Sequence, residues 1–230
     1  MLMVKNSEIF LTIFNRIEKE LKSLLKKDVG FSRSVKILRR KNPIVMRYAD
    51  DLLEYAELRN AIVHNKVDTN YAIAEPHDSV LDSIKVIEKE LIEPRKVLPL
   101  FACDVYTFQV TDRLSDLLHV IYEKGFTKFP IYEGNEFRGL ISQKGITSWF
   151  ATKADDIPWP KEVLLKEVLE CVELNNYKFL KSNASVYRAE EIFREQIGKG
   201  NRIEALLITR KSSFKEDLKG IITNWDIMKV

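Results

Sequence analysis

Two short stretches of this 230-residue chain carry side chains suited to chemistry on phosphate and ribose groups. The first is Leu58-Arg59-Asn60-Ala61-Ile62-Val63-His64-Asn65. An arginine holds a phosphate with a planar two-pronged guanidinium and does not deprotonate. A histidine moves protons near neutral pH. Together they suffice for metal-free RNA cleavage, in which a 2′-hydroxyl attacks the adjacent phosphorus. Five residues turn a helix by about 140°, so Arg59 and His64 need not converge within one chain. A site completed across a dimer follows naturally. The plainer reading is a helix-terminal His64 beside the dipole and an Arg59 ion-paired with Glu54 or Glu57.

The second stretch is Gly220-Ile221-Ile222-Thr223-Asn224-Trp225-Asp226-Ile227. An apolar strand pattern ends at Thr223, and a helix pattern starts near Asp226. A helix N-terminus offers free N–H groups to a phosphate. The Thr223 hydroxyl can donate to a phosphate or ribose oxygen, and the Asp226 carboxylate can accept from two ribose hydroxyls. Alternatively Asp226 only caps its helix and Thr223 only ends a strand.

The elements that must position these residues differ between the two ends of the chain. Residues 6–27 read as an amphipathic helix that Asn6 or Ser7 can cap. Further helices are expected over about 34–41 and 43–65, with Asn42-Pro43 between them. Leu52, Leu53, Ala56, Asn60 and Val63 would share the inner face of the latter. A fourth helix, capped by Asp78 or Ser79, runs to Glu93-Pro94. No convincing strand alternation precedes residue 95, so the N-terminal part reads as an all-α bundle.

After Pro94 short β-branched runs alternate with helix patterns. A strand over Val105–Val110, a helix over Asp112–Lys124, and strands over Phe129–Tyr132 and Phe137–Ser142 are expected. The order returns as a strand over Tyr177–Leu180, a helix over Ser185–Gln196, and strands over Ala205–Thr209 and Leu218–Thr223. Gly139-Leu-Ile-Ser142 answers Gly220-Ile-Ile-Thr223. One α/β unit is duplicated, as a pair rather than a solenoid.

On Gly125-Phe-Thr-Lys-Phe-Pro-Ile-Tyr132 and the G-h-h-T-x-x-D ending in Gly220–Asp226, residues from about 97 to the end resemble the CBS (cystathionine β-synthase) domain family. The resemblance implies a tandem pair, or Bateman module, holding AMP, ADP, ATP or S-adenosylmethionine. It implies that Thr223 contacts phosphate or ribose and that Asp226 holds the ribose hydroxyls. The adenine would lie between the strand at Tyr177-Lys178-Phe179 and the strand at Ala205-Leu206. The first repeat keeps Ser142 and offers Lys144 to a phosphate, but has Gly145 where the acid should stand. Gly145→Asp would then supply a second clamp.

The R-N-x-x-x-H motif, the helices around it and Ala74-Glu-Pro76 resemble the HEPN family over about residues 5–95. Many of its members are metal-independent endoribonucleases that act as dimers; others only bind RNA or partners. The resemblance implies that Arg59 holds the scissile phosphate, Asn60 assists positioning and His64 transfers protons. Between Lys22 and Arg47 lie seven further cations and one acid, Asp28. This run is a plausible RNA track or, more plainly, a solvated helix face.

Composition sets the outer bounds. Hydrophobic residues at 45% and charged residues at 31% fit a folded chain rather than a disordered one. No apolar run approaches the roughly 20 residues that span a bilayer. Nothing at the N-terminus reads as a signal peptide. Cys103 and Cys171 form no C-x-x-C and no metal spacing with His64, His77 or His119. A reduced cytoplasmic protein that requires no metal is expected. The expected architecture is α+β: a HEPN-like helical domain over 1–95, then CBS domains over 96–155 and 156–230. The function that fits is an adenine-nucleotide-sensing module regulating an RNA-binding or RNA-cleaving homodimer. The alternative is a non-catalytic nucleotide sensor whose helices mediate dimerisation or partner binding.

Overall fold

In the computed structural model, residues Met1–Arg95 and Lys96–Val230 form two compact units. The structure describes residues 5–64, 74–154, 159–173 and 175–229. The first unit contributes α1 (Asn6–Leu25), α2 (Phe31–Leu38), α3 (Pro43–Arg47), α4 (Ala49–His64) and α5 (Asp78–Ile92). Its core is the apolar stripe of α1, Phe10, Ile13, Phe14, Ile17 and Leu21, packed on α2, α4 and α5.

Several local expectations change here. The cap of α1 is Lys5 rather than Asn6 or Ser7, without a side-chain cap bond, and the Ser7 N–H is satisfied from a distance. The Glu75 carboxylate accepts from the Ser7 N–H at 3.0 Å and from its hydroxyl at 2.9 Å. The cap of α5 is His77, whose Nδ1 accepts from the Ser79 N–H at 3.2 Å, rather than Asp78 or Ser79. The helix expected over 43–65 breaks at Tyr48, which leaves helical geometry (φ −107°, ψ 18°). The buried stripe of α4 is Leu52, Tyr55, Ala56 and Ile62. Asn60 is exposed rather than inward-facing.

The second unit repeats one topology. It opens with α6 (Val97–Leu100). The first repeat is β1 (Phe108–Gln109), α7 (Leu114–Lys124), β2 (Lys128–Glu133), β3 (Glu136–Ser142) and α8 (Gln143–Thr152). After α9 (Leu165–Leu169), the second repeat is β4 (Tyr177–Lys181), α10 (Val186–Gly198), β5 (Ala205–Thr209), β6 (Gly220–Ile222) and α11 (Asn224–Ile227). In each sheet the first strand runs parallel to the second and the second antiparallel to the third. The duplication legible in the sequence is therefore a duplication of fold.

Phe137 and Leu140 of β3 cluster with Ala205 and Leu207 of β5, which joins the two sheets. All five residues of β5 are buried, matching its unbroken apolar run. Val163, Leu165 and Val168 follow the 155/156 boundary in sequence, yet they pack into the core of the first repeat with Trp149 and Phe129.

The strand expected over Val105–Val110 shrinks to Phe108–Gln109, which pair with Ile131 and Tyr132. The chain before it crosses the other repeat, where Ala102 bridges Gly220 at the start of β6. A Cβ on Gly220 would land on the backbone carbonyl oxygen of Phe101. The matching Gly139 faces only the tip of Leu169, 2.9 Å from such a Cβ. A side-chain tip can rotate away, whereas a packed backbone must move. Gly220→Ala is therefore expected to destabilise the protein by about 1–3 kcal/mol, the usual cost of overpacking, and Gly139→Ala by less. Urea denaturation followed by tryptophan fluorescence checks this, and equal midpoints for the two variants would contradict it.

Candidate functional site

Thr223 and Asp226 are joined in the structure. The backbone N–H and the hydroxyl of Thr223 both donate to Asp226 Oδ2, at 2.8 and 2.7 Å. Helix α11 begins at Asn224, so Thr223 is its cap and Asp226 its third residue rather than its first. The carboxylate reaches back onto the cap, as in a capping box. Its Oδ1 takes neither of these bonds. With four residues in α11, little macrodipole is available, so local N–H groups and side chains must do the binding.

Both residues line a cavity of about 660 Å³, within the range of small-molecule sites. Its walls come from both repeats. The second supplies Glu204 and the stretch from Ile221 to Met228. The first supplies Cys103 to Tyr106, which the Ala102–Gly220 bridge draws across, and the turn Gly125 to Lys128 after α7. Three exposed rings line the cavity: Tyr106 and Phe126, 6.4 Å apart and tilted by 50°, and Trp225 beside Asp226 in sequence. Lys128 Nζ lies 3.4 Å from Glu204 Oε2, both side chains being one-fifth exposed.

The corresponding place in the first repeat is closed. Ser142 caps α8 by accepting from the Gly145 N–H at 3.2 Å. Around Ser142, Lys144, Gly145 and Val172 only about 20 Å³ remains, room for about one water. Lys144 Nζ sits 2.6 Å from Glu173, and this hydrogen bond holds the Glu173 carboxyl below its usual range. A Cβ on Gly145 would approach Val172 Cγ2 to 2.8 Å. Adding an acid at 145 therefore requires the Val172 side chain to shift before a second clamp can form.

Tyr177, Lys178, Phe179, Ala205 and Leu206 are not among the residues lining the large cavity. Tyr177 pairs with Ala205 and Lys178 with Leu206 in adjacent parallel strands. Tyr177 and Phe179 pack edge-on against Phe137, at 5.0 and 5.3 Å, in the layer between the sheets. Burial there pushes the Tyr177 phenol above its usual pKa. The rings that do line the cavity, Tyr106, Phe126 and Trp225, were not singled out. Phe126 lies in the Gly125–Tyr132 segment and Trp225 in the Gly220–Asp226 segment, each an aromatic ring outside an apolar pattern.

In the first unit Arg59 is half-buried on α4, and its Nη1 donates to Asn60 Oδ1 at 3.3 Å. His64 ends α4, and its side chain lies outside the described residues. In the basic run, Lys22 pairs with Asp28 at 2.9 Å and Arg39 approaches Asp50 at 4.0 Å. Lys26, Lys27, Arg33, Lys36, Arg40 and Lys41 are exposed. Among the described residues, no group of three or more His, Cys, Asp or Glu is placed to hold a metal. Among them no helix is long and apolar enough to cross a membrane.

No family model matches the sequence, and no curated protein matches it. Solved structures do. A CBS-domain protein of unknown function from Thermoplasma acidophilum is 18% identical, with a TM-score of 0.46 over 59% of this chain and 68% of its own. CBSX2 in complex with AMP is 13% identical, with a TM-score of 0.43 over 59% of this chain and 94% of its own. The CBS domain of a bacterial CNNM/CorC-family Mg²⁺ transporter, in complex with ATP, is 13% identical, with a TM-score of 0.42 over 59% of this chain and 85% of its own. All three neighbours carry CBS domains.

Proposed function

We propose that the second unit is a CBS pair that takes one adenosyl ligand per chain. In this reading it regulates the helical unit, a HEPN-like domain that binds RNA or cleaves it without metal. One observation carries the ligand assignment: the Thr223–Asp226 clamp stands at a cavity of about 660 Å³ inside a duplicated fold, and its counterpart at Ser142 and Gly145 is filled. Asp226 Oδ1 accepts from the ribose hydroxyls while Oδ2 keeps Thr223 in place. Tyr106, Phe126 and Trp225 offer ring faces to the base, a contact worth about 1–3 kcal/mol where it has been measured for nucleobases.

Isothermal titration of the full chain with AMP, ADP, ATP and S-adenosylmethionine tests this. At least one of them is expected to saturate at one ligand per chain. Two equal sites, or no binding by any of the four, would contradict the reading.

Regulation needs a path between the units. Only residues 93–96 separate α5 from α6, and Val97 is anchored in the core of the second repeat with its N–H on the Ala184 carbonyl, 2.9 Å away. A ligand that favours one arrangement of the two units changes RNA affinity where the two arrangements bind RNA differently, and RNA then changes ligand affinity by the same factor. We also infer a homodimer, because five residues turn a helix by about 140°, so Arg59 and His64 need not converge within one chain and a shared site would bring them together. Light scattering at micromolar concentration should show at least two chains, and a strict monomer would contradict a composite site.

One contact favours the non-catalytic alternative. The Arg59 guanidinium is engaged with Asn60 of its own chain, as in a residue that serves its helix.

A further inference from the structure

The charges on the cavity wall are unbalanced. Asp104, Glu204 and Asp226 face a single ammonium, that of Lys128, a surplus of two negative charges. Glu204 already neutralises that ammonium at 3.4 Å, in a pair that is largely out of water. Asp226 accepts from Thr223 through Oδ2 and keeps Oδ1 outside that bond. The remaining surfaces are aromatic and thioether: Tyr106, Phe126, Trp225 and Met228. The face of Trp225 already attracts a cation, Lys229 Nζ, at 5.7 Å. A polyphosphate entering here finds the lining ammonium of Lys128 paired with Glu204, two further carboxylates on the wall, and Lys229 over Trp225 as the other nearby cation. A positive ligand finds carboxylates and electron-rich ring faces.

We propose that Glu204 and Asp104 set the specificity of this cavity, selecting against phosphate and for an adenosyl sulfonium. S-adenosylmethionine then binds more tightly than AMP, and AMP more tightly than ATP. This rests on the adenosyl reading of the site given above. Glu204 acts by occupying Lys128, and Asp104 by its own charge at an exposed position on the wall. At the separations of a cavity this size, each added negative charge on the ligand weakens binding about five- to tenfold at low salt, and less at high salt.

Calorimetric titration of the full chain with S-adenosylmethionine, adenosine, AMP and ATP in EDTA, at low and high salt, tests the order. S-adenosylmethionine is expected first and ATP last, with the spread narrowing as salt rises. Glu204→Gln should tighten ATP about tenfold and loosen S-adenosylmethionine. Should that variant fold poorly, the exposed Asp104→Asn should move both ligands in the same directions by a smaller factor. ATP or AMP binding as tightly as S-adenosylmethionine would overturn the charge selection and leave the adenosyl site standing. Variants that leave the order and the spacing unchanged would also overturn it. Binding of none of the four would overturn the site itself.

Discussion

Asp226→Ala is expected to weaken adenosyl binding by about tenfold to a hundredfold. Hydrogen bonds to a charged acceptor contribute about 1.5–3 kcal/mol, and the ribose hydroxyls lose that acceptor outright. The same carboxylate also holds the Thr223 N–H and hydroxyl, so its removal costs about 1 kcal/mol of local stability as a lost cap. Asp226→Asn separates the two effects. Its carbonyl oxygen still accepts from the Thr223 N–H, while its charge is gone. It should keep wild-type thermal stability and still bind weakly. Calorimetry paired with a thermal melt checks both. Unchanged binding in both variants would make Asp226 a cap and nothing more.

His64→Ala is expected to reduce RNA cleavage in EDTA by at least about 10²-fold, the lower end of what general acid–base groups supply. Arg59→Ala should abolish it as well, through loss of the phosphate fork. Neither change should unfold the first unit. The buried stripe of α4 is Leu52, Tyr55, Ala56 and Ile62, and Arg59 bonds only its exposed neighbour Asn60 among the contacts described. Gel analysis of labelled RNA with matched circular dichroism spectra provides the readout. Equal cleavage by the His64 variant would point to a contaminant or to another mechanism. No cleavage by the wild type, with RNA still bound, would leave an RNA-binding unit without catalysis, and neither cleavage nor RNA binding would favour the non-catalytic sensor.

The duplicated fold was legible because it is written in local patterns. Strand runs such as Ala205–Thr209 and helix faces such as Leu114, Leu117 and Val120 carry their own periodicity. The clamp was legible for the same reason: Thr223 and Asp226 are three residues apart, and a short turn decides their meeting. The rest of the cavity was not legible, because its walls are set by a crossing of distant segments. The bridge from Ala102 to Gly220 brings Asp104 and Tyr106 beside Asp226 across more than a hundred residues. No periodicity records that. The strands at Tyr177 and Ala205, where the family resemblance would set an adenine, do not line this cavity, and their rings pack between the sheets. The closing of the first site has a similar cause. Gly145 announces the missing acid in the sequence, but the space it leaves is filled by Val172 from the following segment.

The measurement that bears most directly on the adenosyl site is a crystal structure of the full chain grown with saturating S-adenosylmethionine and, separately, AMP. One ligand per chain is expected, its ribose on Asp226 and its base against the rings of Tyr106, Phe126 or Trp225, with nothing at Ser142 and Gly145. A ligand seated at Ser142 and Gly145, or an empty cavity beside Asp226 under saturating ligand, would contradict it.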